Sequence, residues 1–137
     1  MVKHLAHVTL LVDDYDKAIE FFQHSLYFTL LEDTAISETK RWVLMAPRGA
    51  KECAILLAKA TDDEQICRIG NQTGGRVFMF LHSDNLQRDY QTLLDNKVRI
   101  VQPPRKESYG SVFVFKDLYG NLWDMIEPPA KNQESCE

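Results

Sequence analysis

No stretch of this chain is apolar over the roughly 20 residues that a membrane-crossing helix needs, so no such helix is expected. Clustered basic residues are also missing. The densest pair, Arg105-Lys106, is followed at once by Glu107, and the net charge is −4. A dedicated nucleic-acid surface, which needs grouped Lys and Arg to displace counterions, is thereby excluded. The three cysteines, Cys53, Cys67 and Cys136, cannot all pair and none stands in a C-x-x-C spacing. Neither a disulfide scaffold nor a structural zinc site fits, and a reducing, cytosolic setting is expected. The opening MVKHLAH carries no signal-peptide apolar region. Gly74-Gly75 is followed by no G-K-[ST], which excludes a phosphate loop, and no Ser-His-Asp or Cys-His arrangement is readable.

What is present is an ordinary globular composition, 45% hydrophobic and 26% charged over 137 residues, enough for one domain with one core. Residues 4–12 (HLAHVTLLV) are rich in β-formers and predict a strand. Asp13 or Asp14 can then cap a helix whose apolar positions Tyr15, Ala18, Ile19, Phe22 and Leu26 share one stripe. Strands are expected at 28–33, 41–46 and 53–59, the last two separated by Pro47-Arg48-Gly49. This first module, residues 4–59, therefore reads β-α-β-β-β.

Residues 60–75 change character and serve as a connector. Thr61 is expected to cap a short helix from 62 to 69, ending in a loop at Gly70, Gly74 and Gly75. The second module, residues 76–127, repeats the order of the first. It has a strand at 76–82, a helix at 84–96 with Leu86, Tyr90, Leu93 and Leu94 inward, and strands at 98–102, 109–116 and 121–127. Pro103-Pro104 separates two of those strands, and residues 129–137 form a polar tail. A βαβββ module covers only one face of its sheet with its helix. Joining two modules hides the open faces and leaves a cleft. The expected fold is thus α/β (α+β), one domain over 1–128 made of two tandem βαβββ modules around a half-barrel cleft.

The segments HVTLLVDDYDKAIEFF and FKDLYGNLWDMIEP, with the module repeat between them, resemble the vicinal-oxygen-chelate superfamily: the glyoxalase, bleomycin-resistance and extradiol-dioxygenase proteins. The resemblance spans residues 4–128. It implies homodimers, often with each cavity built from modules of both subunits. It also implies four metal-ligand positions, which fall here on His7, Leu56, Phe78 and Asp124. Leu56 and Phe78 cannot ligate a metal, and Glu52 is a substitute only if its strand slips register. Two ligands hold a divalent ion poorly, so no resident cofactor is expected.

The same resemblance implies that His7 and Asp124 meet at the module junction, either as an acid/base couple or as an ion pair left over from a metal site. Leu56, Phe78 and Phe80 would make an apolar cavity floor, with core packing the plainer role for Phe80. Arg76 and His82 stand at opposite ends of the same strand. Arg76 is a candidate for an anionic ligand group or simply a solvated strand end. Trp42 either packs or flanks a ligand. Cys53 and Cys67 read as buried or partly buried thiols, and His4 and His24 as surface residues. The expected function is a small organic molecule bound or transformed in the cleft, by a lyase- or isomerase-like proton transfer if catalytic. The alternative is a non-catalytic drug- or metabolite-binding protein of the bleomycin-resistance kind. A cationic ligand would suit the acidic balance, with residues 62–66 (DDEQI) as its only acidic wall.

Overall fold

Two strand-to-helix corners set the frame of the computed structural model, which describes residues 2–50 and 53–130. At the first corner, strand β1 (His7–Val12) leads into helix α1 (Tyr15–Ser25), capped by the Asp14 carboxylate accepting from the Lys17 amide at 2.9 Å. The stripe Tyr15, Ala18, Ile19 and Phe22 is buried as its spacing requires. At the second, β5 (Val77–His82) leads into α3 (Leu86–Asp95), capped by Asn85 accepting from the Arg88 amide at 3.0 Å. Of the two candidates at the first corner, Asp14 rather than Asp13 is the cap.

The first module continues through β2 (Phe28–Ala35), β3 (Arg41–Pro47) and β4 (Ala54–Lys59). Its sheet has the order β1-β4-β3-β2, with β1 and β4 parallel. After the connector helix α2 (Asp63–Arg68), the second module adds β6 (Ile100–Glu107), β7 (Gly110–Lys116) and β8 (Leu122–Glu127), in the order β5-β8-β7-β6.

Three expectations are corrected here. Asp62, not Thr61, caps α2: its carboxylate accepts from the Gln65 amide, while Thr61 bonds the Gln65 side chain. Pro103-Pro104 does not end a strand but lies within β6, at the register shift between Gln102 and Arg105. β6 is the edge of its sheet, where missing N–H groups break no ladder. Leu94 is exposed, since the narrow inward stripe of α3 is filled by Leu86, Tyr90 and Leu93.

The helix-facing sides of both sheets share one core. Its centre is Trp123, 1% exposed, with Phe22 of α1 at 5.8 Å and Phe115 stacked at 6.0 Å between ring centroids. Helix α1 thus packs against its own sheet and against the second module. Register then assigns the opposite faces. Thr9, Leu56 and Leu44 line up on the outer side of the first sheet, while their neighbours Leu10, Leu57 and Val43 are fully buried. In the second sheet Phe80, Asp124, Val114 and Gln102 line up on the side away from Trp123. Because the helix-facing sides meet in the shared core, the two outer faces are turned away from it.

The motif DLYGNLW is held by a buried carboxylate. Asp117 accepts from the amides of Tyr119, Gly120 and Asn121, from Asn121 Nδ2 and from Trp123 Nε1, all at 2.9–3.0 Å. The connector docks on this turn. Gly70 has φ +78°, and a Cβ there would overlap the carbonyl of Tyr119, so only glycine fits.

Candidate binding cavity

On the outer face of the first sheet lies a cavity of about 680 Å³, within the range of ordinary small-molecule sites. Its floor is Trp42, Leu56 and Ala58. Thr9, Ser37, Thr39 and Thr61 bring hydroxyls, Gln65 an amide, and Lys40, Arg41 and Lys59 positive charge. The floor residues meet because β3 and β4 are antiparallel neighbours, with Leu44 beside Leu56. The walls come from the β2–β3 hairpin and from the connector, which arches back past the end of β4. Every lining residue belongs to the first module or the connector.

Arg41 fixes the hairpin. Its guanidinium bonds Asp33 at 2.6 Å and Asp16 at 3.0 Å and lies 5.1 Å above the Tyr15 ring. The paired guanidinium holds the Asp33 carboxyl below its usual range. Below the hairpin, the ring of His7 meets Trp42 edge-on at 5.5 Å, so His7 stands at the margin of the floor. Leu56 and Trp42 are thus in the cavity, and His7 is beside it.

The remaining expected site residues lie elsewhere. Asp124 is on the outer face of the second sheet. Its Oδ1 is buried with no hydrogen-bond partner, and burial raises the carboxyl above its usual range, opposed by the charge of Arg105. Among the described residues no hydrogen bond or ion pair joins His7 to Asp124; each stands on the face of its own sheet that is turned away from the Trp123 core. Phe78 sits at a register shift and turns its ring edge-on to Trp123 at 5.9 Å, on the core side. Phe80 instead pairs in register with Asp124 and is 61% exposed, which corrects its assignment to core packing. Arg76 and His82 are exposed and neither lines the cavity. Cys53 and Cys67 are exposed rather than buried, Cys53 because it precedes β4 in a left-handed conformation (φ +59°). Glu52 and Cys136 lie outside the described residues.

Sequence reasoning missed Thr9, Lys40, Lys59, Thr61 and Gln65. Thr9 was within reach, as it follows His7 by two residues on one strand face. The others depend on a hairpin and a connector meeting over one sheet, for which the sequence carries no local signal.

The sequence profile of the Glyoxalase/Bleomycin resistance protein/Dioxygenase superfamily matches residues 4–125, and the chain belongs to this superfamily. An uncharacterised protein of Shewanella frigidimarina (strain NCIMB 400) is 47% identical over 128 residues, covering 93% of this chain and 95% of its own. Among solved structures, UcmS2 superposes with a TM-score of 0.80 at 29% identity, covering 93% of this chain and 99% of that one. TnmS3, described as an antibiotic binding protein from Streptomyces sp. CB03234, superposes with a TM-score of 0.74 at 23% identity, covering 93% and 97%.

Metal-dependent members of the superfamily hold a divalent ion, and the residues here do not fit one. Leu56 offers no donor atom. In the second sheet Asp124 of β8 matches Leu56 of β4, and the β5 position that matches His7 of β1 is a phenylalanine, Phe78 or Phe80. Among the described residues no three His, Cys, Asp or Glu side chains come together. Among those residues, too, no helix is long and apolar enough to cross a membrane.

Proposed function

We propose that this chain is a non-catalytic binding protein for a small organic molecule, held on the outer face of the first module. The observation that carries this reading is the cavity itself: an apolar floor of Trp42, Leu56 and Ala58 under a ring of hydroxyl and amide groups. It has the mixture that recognises a ring system with a few polar substituents. Among the described residues no metal donor set and no joined acid–base pair stands beside it. The likeness to TnmS3, whose description is antibiotic binding, favours the same use of the fold, although fold alone does not assign a ligand.

The working form in this proposal is a cytosolic homodimer in which the second module of one copy covers the cavity of the other. Both outer faces are turned away from the core of their own chain, and Phe80, Leu31 and Ile36 leave large apolar side chains exposed. The exposed thiols of Cys53 and Cys67 suit a reducing compartment.

One observation favours a second reading. Asp124 presents a buried, unpartnered oxygen, and across such a dimer it would face the His7 side of a neighbouring cavity. That pair would supply a proton-transferring enzyme of the lyase or isomerase kind. Incubating the protein with 2-naphthamide and related neutral ring compounds, then recovering them by liquid chromatography and mass spectrometry, separates the two. Binding with unchanged recovery supports the binding protein. Turnover abolished in both His7→Ala and Asp124→Asn overturns it.

A further inference from the structure

We propose that the cavity selects a flat apolar ligand bearing an anionic group, such as an aromatic carboxylate, with the anion between Lys40 and Lys59 and the ring over Trp42 and Leu56. This rests on the binding reading above and adds the sign of the ligand's charge. It runs opposite to the net charge of −4, which by itself would favour a cation.

Each charged residue that lines the cavity is a cation. Arg41 is already engaged by Asp33 and Asp16, and those two acids are thereby occupied. Lys40 and Lys59 make no ion pair among the described residues. The field of Lys59 reaches Asp14, but that carboxylate is committed to capping α1. The acidic turn of α2 does not supply a wall either. Asp62 is held by the Gln65 amide, and the helix presents Gln65, not an acid, to the cavity.

Position completes the case. Val43 pairs with Leu57 in antiparallel register, so the chain just before Val43 and the chain just after Leu57 lie side by side. Lys40 and Lys59 therefore leave the sheet at the same end, next to the floor formed by Trp42 and Leu56. Gln65 Oε1 accepts from both the amide and the hydroxyl of Thr61, which leaves the Gln65 Nε2 hydrogens as further donors at that end. A bound anion would meet cations and N–H groups there and no carboxylate. A bound cation would meet the same charges with nothing to balance its own.

The test is calorimetric titration of the full chain with three probes of one shape: 2-naphthoate, 2-naphthamide and 2-naphthylmethylammonium. The expected order is anion, then neutral, then cation. The anion should lead the neutral probe by roughly tenfold, as two exposed charge contacts allow. That lead should shrink as salt rises, because both lysines are exposed. Lys40→Gln/Lys59→Gln should bring 2-naphthoate to the affinity that 2-naphthamide has for the same variant. Equal binding of all three probes, or preference for the cation, overturns the charge assignment while the binding reading stands. Absence of binding by every probe overturns both.

Discussion

The amide of Gln72 donates to Asn121 Oδ1 at 3.1 Å, across 49 residues of sequence, and joins the connector to the last turn of the second module. The side chain of the same residue joins it to the first. Gln72 Oε1 accepts from the Leu11 amide at 3.3 Å and Nε2 donates to the Thr9 carbonyl at 3.2 Å. One side-chain amide thus pairs with the open edge of β1 as a neighbouring strand would, opposite β4. Asn121 is in turn held by Asp117, so a continuous hydrogen-bonded path runs from β1 to the turn before β8.

Replacing this clip should loosen the junction without touching the cavity floor. Gln72→Ala is expected to lose about 1 kcal/mol of unfolding free energy, since it removes one partly buried and one exposed hydrogen bond and strands an edge donor and acceptor. Denaturant unfolding measures it. A change within error of zero would show that water replaces the amide without cost.

Asp117 is the more severe position. Asp117→Ala leaves three backbone amides, a side-chain amide and an indole N–H without their acceptor, most of them in buried or half-buried places. A loss of about 3 kcal/mol or more is expected, against about 1 kcal/mol for an average substitution. Thermal and denaturant unfolding of the same variant should agree on it.

Asp124 should behave in the opposite sense. Burial holds its folded-state carboxyl above the unfolded value, so the folded state favours the protonated form. The associated stability is complete at pH below the ordinary carboxylate range, near 4, and is lost as pH rises through the raised value. Asp124→Asn removes that loss and is expected to be more stable than the wild type near pH 7, with the gain fading toward pH 4. Melting curves at several pH values check it, and a destabilised variant at pH 7 would mean the carboxylate is partnered in solution.

The proposed dimer gives a separate prediction. Phe80→Arg places charge on the face expected to cover a neighbour's cavity. It should shift sedimentation from dimer to monomer while leaving the monomer folded, because Phe80 contributes little to the core of its own chain.

How far these features were legible in advance differs from element to element. Stripe and alternation placed the helices and the inward faces of β1, β4 and β8, since burial of one face is a local periodic demand. The Asp117-to-Trp123 segment was recognisable as a pattern, but the reason for its spacing lies in one carboxylate reaching five donors. Phe80 and Phe78 could not be told apart, because a register shift between Val77 and Met79 moves the pairing by one residue. The direction in which the modules face was not legible. Alternation says which residues share a side of a sheet and nothing about what that side meets. The packing of α1 against Trp123 turns both outer faces away from the core.

The central claim is that a small molecule binds over Trp42, Leu56 and Ala58. Ala58→Phe fills that floor from a half-buried position, so calorimetric titration of the wild type and Ala58→Phe with 2-naphthoate tests it most directly. Saturable binding to the wild type and its loss in Ala58→Phe are expected, with melting temperatures of the two unliganded proteins within a few degrees. Equal binding to both proteins, or none to the wild type, would contradict it.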